Sequence, residues 1–227
     1  MSIAANLDRV RATLRGATAA AGRPADAVRL VAVSKIQPVA AILEAAAAGQ
    51  VDFGENYAQE LRDKTAEITL PVCWHFIGAL QRNKVKYVAG RATLVHDVDN
   101  LPLAEEIGKR SGERPTGILL GVNIGEEPQK SGVLPKEALA LAEAMTRIPG
   151  VTLQGLMCIP PAVDEPSAAA PYFAALADLA ARGRAAGLPL HELSMGMSHD
   201  YAVAIQHGAT LVRVGTAIFG ARPPRAG

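Results

Sequence analysis

The chain has 227 residues, of which 49% are hydrophobic, and this is enough for one substantial core, so we expect a single domain over residues 1–227. Its 23 basic and 22 acidic residues nearly cancel and only 4% of residues are aromatic, which argues against nucleic acid or an anionic membrane as a partner. Cys73 and Cys158 are the only cysteines, and their wide separation excludes a disulfide scaffold and a zinc site and favours a reducing compartment.

The opening segment, MSIAANLDRVRATLRGA, predicts an amphipathic helix. Its apolar residues recur at helical spacing: Ile3, Leu7, Val10 and Leu14. Asp8, Arg9 and Arg11 occupy positions at which a signal peptide needs an apolar core, and no apolar run reaches the roughly 18 residues of a membrane span. We therefore expect a cytoplasmic protein without a membrane partner.

Beyond this helix, short β-rich runs alternate with helical segments rich in Ala, Leu and Glu. Eight runs are predicted to be strands: 28–35, 51–56, 72–79, 92–99, 116–125, 152–161, 191–198 and 211–220. Helical segments between them include 39–48, 136–147 and 167–186. This alternation is typical of parallel βαβ units, and eight units predict a (β/α)₈ TIM barrel with one extra N-terminal helix. A doubly wound open sheet is the competing interpretation.

Polar and small residues collect at the C-terminal ends of these runs, where a barrel carries its functional site. They are Ser34, Lys35, Glu55, Asn56, His75, His96, Asp97, Asp99, Asn123, Ser194, Ser198, Arg213, Gly215 and Thr216. If the strands close into a barrel, these side chains converge on one mouth.

Lys35 follows an apolar strand in the stretch RLVAVSKIQP, and two interpretations fit it. A lysine at the end of a strand can extend to solvent while its stem covers apolar surface. It can also form a Schiff base with an aldehyde, because partial desolvation makes the neutral, nucleophilic amine accessible.

Two turns near the end of the chain are candidates for binding phosphate. In SMGMSHDYAVAIQHG, Ser198 is predicted to cap the following helix or to bind an anion at its N-terminus. Gly215 and Thr216 follow the eighth run, and barrels commonly hold phosphate after strands seven and eight. Arg213 lies within an apolar run and needs a partner, either a ligand or a carboxylate inside the barrel.

Other polar residues have structural interpretations. His75 is either a satisfied core histidine or part of the pocket. Asp97 and Asp99 alternate along one strand, and rim or capping roles suit them better than an acid–base pair. The basic segment 81–87 is expected to be a solvated helix face rather than a phosphate site.

Seven ordered motifs resemble those of the pyridoxal 5′-phosphate homeostasis proteins, small single-domain barrels similar to the N-terminal domain of alanine racemase. The motifs are AVSK (32–35), FGENYAQE (53–60), WHFIGALQRNK (74–84), VNIGEEPQKSG (122–132), GLMCIPP (155–161), LSMGMSHD (193–200) and VRVGTAIFGAR (212–222).

The resemblance implies pyridoxal 5′-phosphate (PLP) as the cofactor and Lys35 as the residue that holds it in a Schiff base. It also implies further contacts: Ser198, Gly215 and Thr216 with the phosphate, Arg213 with the pyridine nitrogen, and Asn56, Ser194 and Met195 near the cofactor. Three residues depart from the family pattern: Ile36 and Cys158 stand where threonine is common, and Gly125 where serine is common. We expect Ile36 to point away from the Lys35 face and to have little effect on binding.

The resemblance further implies a carrier rather than an enzyme. Arginine is permanently charged and only donates hydrogen bonds, so it disfavours a protonated pyridine nitrogen and weakens the cofactor as an electron sink. Alanine racemase compensates with a tyrosine that depends on a second domain, for which no counterpart is expected here. We therefore expect a monomeric PLP carrier whose partners include apo-forms of PLP-dependent enzymes. A PLP-dependent amino-acid racemase is the alternative, and a Schiff-base aldolase is a third hypothesis.

Overall fold

The computed structural model describes residues 2–220, and these contain eight parallel strands closed into a barrel. The strands are β1 (Arg29–Val33), β2 (Asp52–Glu55), β3 (Cys73–Phe76), β4 (Leu94–Val98), β5 (Thr116–Gly121), β6 (Val151–Met157), β7 (Glu192–Met197) and β8 (Leu211–Val214). Each strand pairs with the next along the chain, and β8 pairs back to β1. This closure confirms the predicted (β/α)₈ barrel and excludes the open sheet. The final two residues of the motif at 212–222 lie outside the described residues.

Helices separate most of the strands on the outside of the barrel. They are α1 (Ile3–Ala20), α2 (Val39–Ala47), α3 (Ala58–Glu67), α4 (Leu101–Arg110), α5 (Pro135–Met145), α6 (Ala170–Ala185), α7 (Tyr201–Gln206) and α8 (Thr216–Phe219). Two 3₁₀ helices accompany them, Arg82–Tyr87 between β3 and β4 and Pro166–Ala169 before α6.

The helix expected at the start of the chain is α1. Its buried face carries Leu7, Val10 and Leu14, as the helical spacing predicted, and it packs beside α2, α7 and α8. The Asn6 amide Nδ2 donates a hydrogen bond of 2.8 Å to the Ile218 carbonyl, which ties α1 to the short helix after β8. The extra helix therefore supports the end of the barrel where the eighth strand turns.

Side chains of the strands divide into two layers because successive residues face opposite sides of the sheet. In β1, Leu30 and Ala32 belong to the large cluster between strands and helices, whereas Val31 belongs to a second cluster. The second cluster takes one residue from each of five strands and fills the barrel interior: Val31, Leu94, Leu119, Met157 and Leu211. Polar side chains that also face the barrel interior form part of the site described below.

None of the described helices has the length and hydropathy that a bilayer span requires. Within residues 2–220, no three His, Cys, Asp or Glu side chains are grouped in a way that suits a metal ion.

Candidate functional site

A cavity of about 280 Å³ opens at the C-terminal ends of the strands, near the lower end of the roughly 300–1,000 Å³ of small-molecule sites. Its lining comprises Val33, Lys35, Gln37, Asn56, Ile77, Ile159, Met197, Ser198, His199, Arg213, Gly215, Thr216 and Gly220. Six of the eight residues named from the sequence as cofactor contacts lie in this lining: Lys35, Asn56, Ser198, Arg213, Gly215 and Thr216. Barrel closure brings them together from β1, β2, β7 and β8.

Lys35 stands in the turn that follows β1. The turn is closed by a hydrogen bond of 3.0 Å from the Gln37 amide to the Ser34 carbonyl, and the Ser34 amide bonds to β2. Lys35 is partly buried and lines the cavity, so its amine is positioned to meet a ligand in the mouth. Ile36, the next residue, has a φ of 66°, a left-handed conformation that is rare for a β-branched side chain.

The turns after β7 and β8 contact each other across the cavity rim. The Gly215 amide donates a 3.3 Å hydrogen bond to the Ser198 hydroxyl. Thr216 begins α8, and the first amide groups of a helix lack acceptors within it. A small anion here would meet hydroxyl and amide donors from two turns. The prediction that Ser198 caps the next helix was wrong, because α7 begins at Tyr201 and Asp200 is its N-cap residue.

Arg213 forms part of the cavity floor although the residue is only 4% exposed. One guanidinium nitrogen donates to the Ser194 hydroxyl at 2.5 Å, and the other donates to the Cys158 carbonyl at 3.0 Å. Neither acceptor is a carboxylate, so the carboxylate partner that the sequence left open is replaced by two neutral oxygens. Burial lowers the pKa of the guanidinium from its usual value.

A chain of hydrogen bonds continues from Arg213 through the barrel interior. The Ser194 hydroxyl lies 2.7 Å from His96 Nδ1, His96 Nε2 lies 2.9 Å from His75 Nδ1, and His75 Nε2 lies 2.9 Å from Asp52. Burial, followed by the charges of His75 and Arg213, lowers the pKa of His96 well below its usual value, so His96 is neutral.

One set of donors satisfies every link of this chain. Arginine can only donate, so Ser194 accepts from Arg213 and its own proton is available to His96 Nδ1. His96 then donates from Nε2 to His75, and His75 donates from Nε2 to the Asp52 carboxylate. All donors therefore point from the cavity floor towards the opposite face of the barrel, and Arg213 is held in one orientation.

Comparison with known proteins agrees with this geometry. Residues 5–223 match the family described as alanine racemase, N-terminal domain. The pyridoxal phosphate homeostasis protein of Pseudomonas aeruginosa is 46% identical over 224 residues, which cover 97% of this chain and 96% of that protein. This chain belongs to the pyridoxal phosphate homeostasis protein family. The Escherichia coli K12 protein of the same name is 41% identical over 231 residues, covering 97% of each chain.

A solved protein from another bacterium superposes closely on this chain. It is PipY from Synechococcus elongatus, whose structures have been determined with PLP bound and without it. The TM-scores are 0.83 and 0.85 at 36% and 38% identity, and each alignment covers 96% of this chain and 100% of PipY.

Two residues that the family resemblance implied near the cofactor lie outside the cavity lining. Ser194 is fully buried and reaches the cavity only through Arg213. Met195 is fully buried in the cluster between strands and helices, because it faces the opposite side of β7 from Ser194. Met197 lines the cavity instead. The register of β7 against β8 shifts between Ser194 and Met197, and the one sequence signal for such an irregularity is Gly196, a glycine inside the strand.

The backbone conformation of Gly196 makes this irregularity in β7 possible. Its φ is +90°, and an added Cβ would lie 2.6 Å from the Ala204 Cβ. The end of β7 therefore packs directly on α7, and a side chain at Gly196 would push the two apart.

Asn56 is a polar residue of the lining whose side chain is incompletely satisfied. Its Oδ1 is buried and has no hydrogen-bond partner in the described part of the chain. Buried acceptors are almost always paired in folded proteins, so this oxygen is a feature that a bound ligand would complete.

The remaining candidates have structural contacts in this homeostasis-family chain. Asp97 accepts a hydrogen bond from Ser131 at 3.1 Å and Asp99 accepts one from the Gly132 amide at 3.3 Å, so both hold the loop before α5. Burial raises the pKa of the Cys158 thiol to about 12, which keeps it protonated and unreactive. The basic segment 81–87 falls in a 3₁₀ helix outside the lining.

Proposed function

We propose that this protein binds PLP in the cavity at the C-terminal mouth of the barrel and acts in PLP homeostasis without efficient turnover of amino acids. The observation that carries the proposal is the convergence of a partly buried lysine, a buried guanidinium and two donor-rich turns on one cavity. Relatives of this chain are named PLP homeostasis proteins, and its relative PipY has been solved with PLP bound.

The chemistry of the lining fits PLP group by group. Lys35 supplies the amine for the aldehyde. Ser198 and Thr216 supply hydroxyl and amide donors for the phosphate, and the Gly215 amide bonds to the Ser198 oxygen and leaves the hydroxyl proton of Ser198 to the ligand. Arg213, fixed from below, suits the pyridine nitrogen because a guanidinium only donates hydrogen bonds. The unpaired Asn56 Oδ1 is completed by a donor of the ligand.

The covalent contact is a Schiff base on Lys35. The neutral Nζ attacks the aldehyde carbon, a C=N bond replaces the C=O bond, and the oxygen leaves as water with no change in oxidation state. The reverse reaction with water returns the free aldehyde. A carrier needs this reversibility, since the cofactor must leave again for a recipient.

Bound PLP supplies an electron sink for carbanions next to an attached amine. Arg213 weakens that sink because its permanent charge disfavours a protonated ring nitrogen. General acid–base chemistry also needs a second group within hydrogen-bond reach. The described cavity lining holds no tyrosine and no lysine other than Lys35, and the Nε2 of its one histidine, His199, lies 3.1 Å from the Asp164 carbonyl oxygen. These features support a carrier over the racemase alternative.

We further propose that residues 1–227 form one PLP-binding domain that functions as a monomer and delivers PLP to apo-forms of PLP-dependent enzymes. A direct test incubates the PLP-loaded protein with single L-amino acids in heavy water and follows exchange at Cα by NMR. We expect negligible exchange, together with restored activity when the loaded protein is mixed with an apo-enzyme. Exchange on the order of 1 per second or faster would replace the carrier with the racemase.

A further inference from the structure

The turn that carries Lys35 is strained. Ile36 has a φ of 66°, and this left-handed region is unfavourable for a β-branched residue because its Cβ lies close to the backbone. Strain of this kind persists only where surrounding contacts impose it, and it concentrates at functional sites.

A group of buried and half-buried side chains behind the turn supplies those contacts. The Glu60 carboxylate accepts a hydrogen bond of 2.9 Å from the Ile36 amide. Lys64 Nζ donates to Glu60 at 3.0 Å and to the Ser34 carbonyl at 2.8 Å. The backbone groups on both sides of Lys35 are thus held by one ion pair.

Glu55 completes the group from the end of β2. Its Oε1 accepts from Lys64 Nζ at 2.8 Å and from the Ser34 hydroxyl at 2.6 Å. We call Glu55, Glu60 and Lys64 the Lys35 clamp. None of the three lines the cavity, so the clamp cannot touch a ligand there and acts through the turn.

We propose that Glu60 and Lys64 are positioning residues for Lys35, which hold its turn in the left-handed conformation that directs the amine at the bound aldehyde. This inference rests on the proposed function, because it requires PLP in the cavity. It also gives a role to the motif FGENYAQE, of which only Asn56 reaches the cavity lining.

The charges of the clamp agree with this role. Burial would raise the pKa of Glu60, but the hydrogen bonds from the Ile36 amide and Lys64 outweigh it and lower the pKa overall. Glu60 is therefore an ionised acceptor, and hydrogen bonds to a charged group are about twice as strong as neutral ones. The bond to Ile36 is the direct link between the clamp and the strained residue.

The test separates Schiff-base formation from binding of the rest of the cofactor. Pyridoxine 5′-phosphate has the ring and phosphate of PLP but carries an alcohol in place of the aldehyde, so it cannot react with Lys35. The ratio of its dissociation constant to that of PLP, measured by calorimetry and by absorption, isolates the covalent step. In Glu60→Ala, we expect this ratio to fall about tenfold or more while the alcohol binds as in the parent.

Three variants make the comparison specific. Glu60→Asp keeps the charge but shortens the reach to Ile36, so it should lose the covalent step as Glu60→Ala does. If Glu60→Ala fails to fold, Glu60→Asp replaces it in the test. Glu60→Gln keeps an acceptor oxygen at the same reach but loses the charge, so it should recover part of the ratio. Glu67→Ala, at the exposed end of the same helix, is the matched control and should behave as the parent.

An unchanged ratio in Glu60→Ala and Glu60→Asp overturns the inference, and so does an equal loss of affinity for both ligands. Failure of the proposed function looks different, because the parent protein itself would then form no borohydride-stable adduct with PLP.

Discussion

Replacing Ser194 with alanine removes a single oxygen atom, and we expect it to destabilise the folded protein by about 3 kcal/mol. The Ser194 hydroxyl is fully buried and is the link between Arg213 and His96. Without it, one guanidinium N–H and His96 Nδ1 both lose their partner inside the barrel.

The magnitude follows from the two groups left unpaired. A buried polar group without a partner costs about 1–3 kcal/mol, and more when the group is charged, so the pair costs about 2–6 kcal/mol. Water can offset this only if it enters, and a water needs roughly 10–15 Å³ of free space and several polar partners. Because removal of one hydroxyl leaves little room for a water molecule, we expect the loss of stability to be about 3 kcal/mol, above the lower limit of about 2 kcal/mol.

Urea unfolding followed by circular dichroism measures this loss directly. Ser167→Ala is the matched control, because Ser167 is exposed in the 3₁₀ helix before α6 and should change stability by less than about 0.5 kcal/mol. If Ser194→Ala unfolds at the same urea concentration as the parent and the control, the interior chain does not hold Arg213 in the way described.

Three further predictions concern the clamp, the phosphate turns and the backbone of β7. Burial, opposed by Lys64, raises the pKa of the Glu55 carboxyl from 4.5 to about 7. The folded protein therefore holds this proton more tightly than the unfolded chain does. The resulting stabilisation is fully present below pH 4.5 and is lost as the pH rises through about 7. Urea titrations should show the parent losing about 3 kcal/mol more than Glu55→Gln across this window, and parallel curves would contradict the assignment. Thr216→Val and Ser198→Ala should each weaken PLP binding about tenfold to a hundredfold in an absorption titration, and parent-like affinity in both would move the phosphate elsewhere. Gly196→Ala should lower the melting temperature, because the φ of +90° and the 2.6 Å approach to Ala204 leave no room for a methyl group, and an unchanged value would disprove this packing.

The barrel and its mouth could be predicted from the sequence because both depend on local patterns. Seven of the eight β-rich runs contain the strand that the structure shows, and the run at 152–161 misses only the first residue of β6, since apolar runs and glycine-ended helices are local signals. Lys35, Arg213 and Thr216 come together because parallel strands in a barrel place all their C-terminal ends at one mouth. Once the alternation is recognised, this convergence requires no knowledge of individual contacts.

The remaining features depend on pairs of residues that are distant in sequence. The contact between His75 and His96 is set by the register of β3 against β4, which composition does not encode. The exchange of Met195 for Met197 in the lining results from an irregularity in β7. The expectation that Ile36 has little effect rested on strand alternation, whereas the left-handed turn ends that alternation and makes its amide the contact point of Glu60.

The central claim is that Lys35 holds PLP covalently in this cavity. The most direct measurement adds PLP to the purified protein, records the visible absorption band of a Schiff base, reduces the sample with borohydride and locates the adduct by peptide mass mapping. We expect the reduced adduct on the peptide that contains Lys35, and we expect Lys35→Ala to lose the band while retaining some affinity through the phosphate turns. An adduct confined to Lys84 or Lys130, or a band that survives in Lys35→Ala, would contradict the claim.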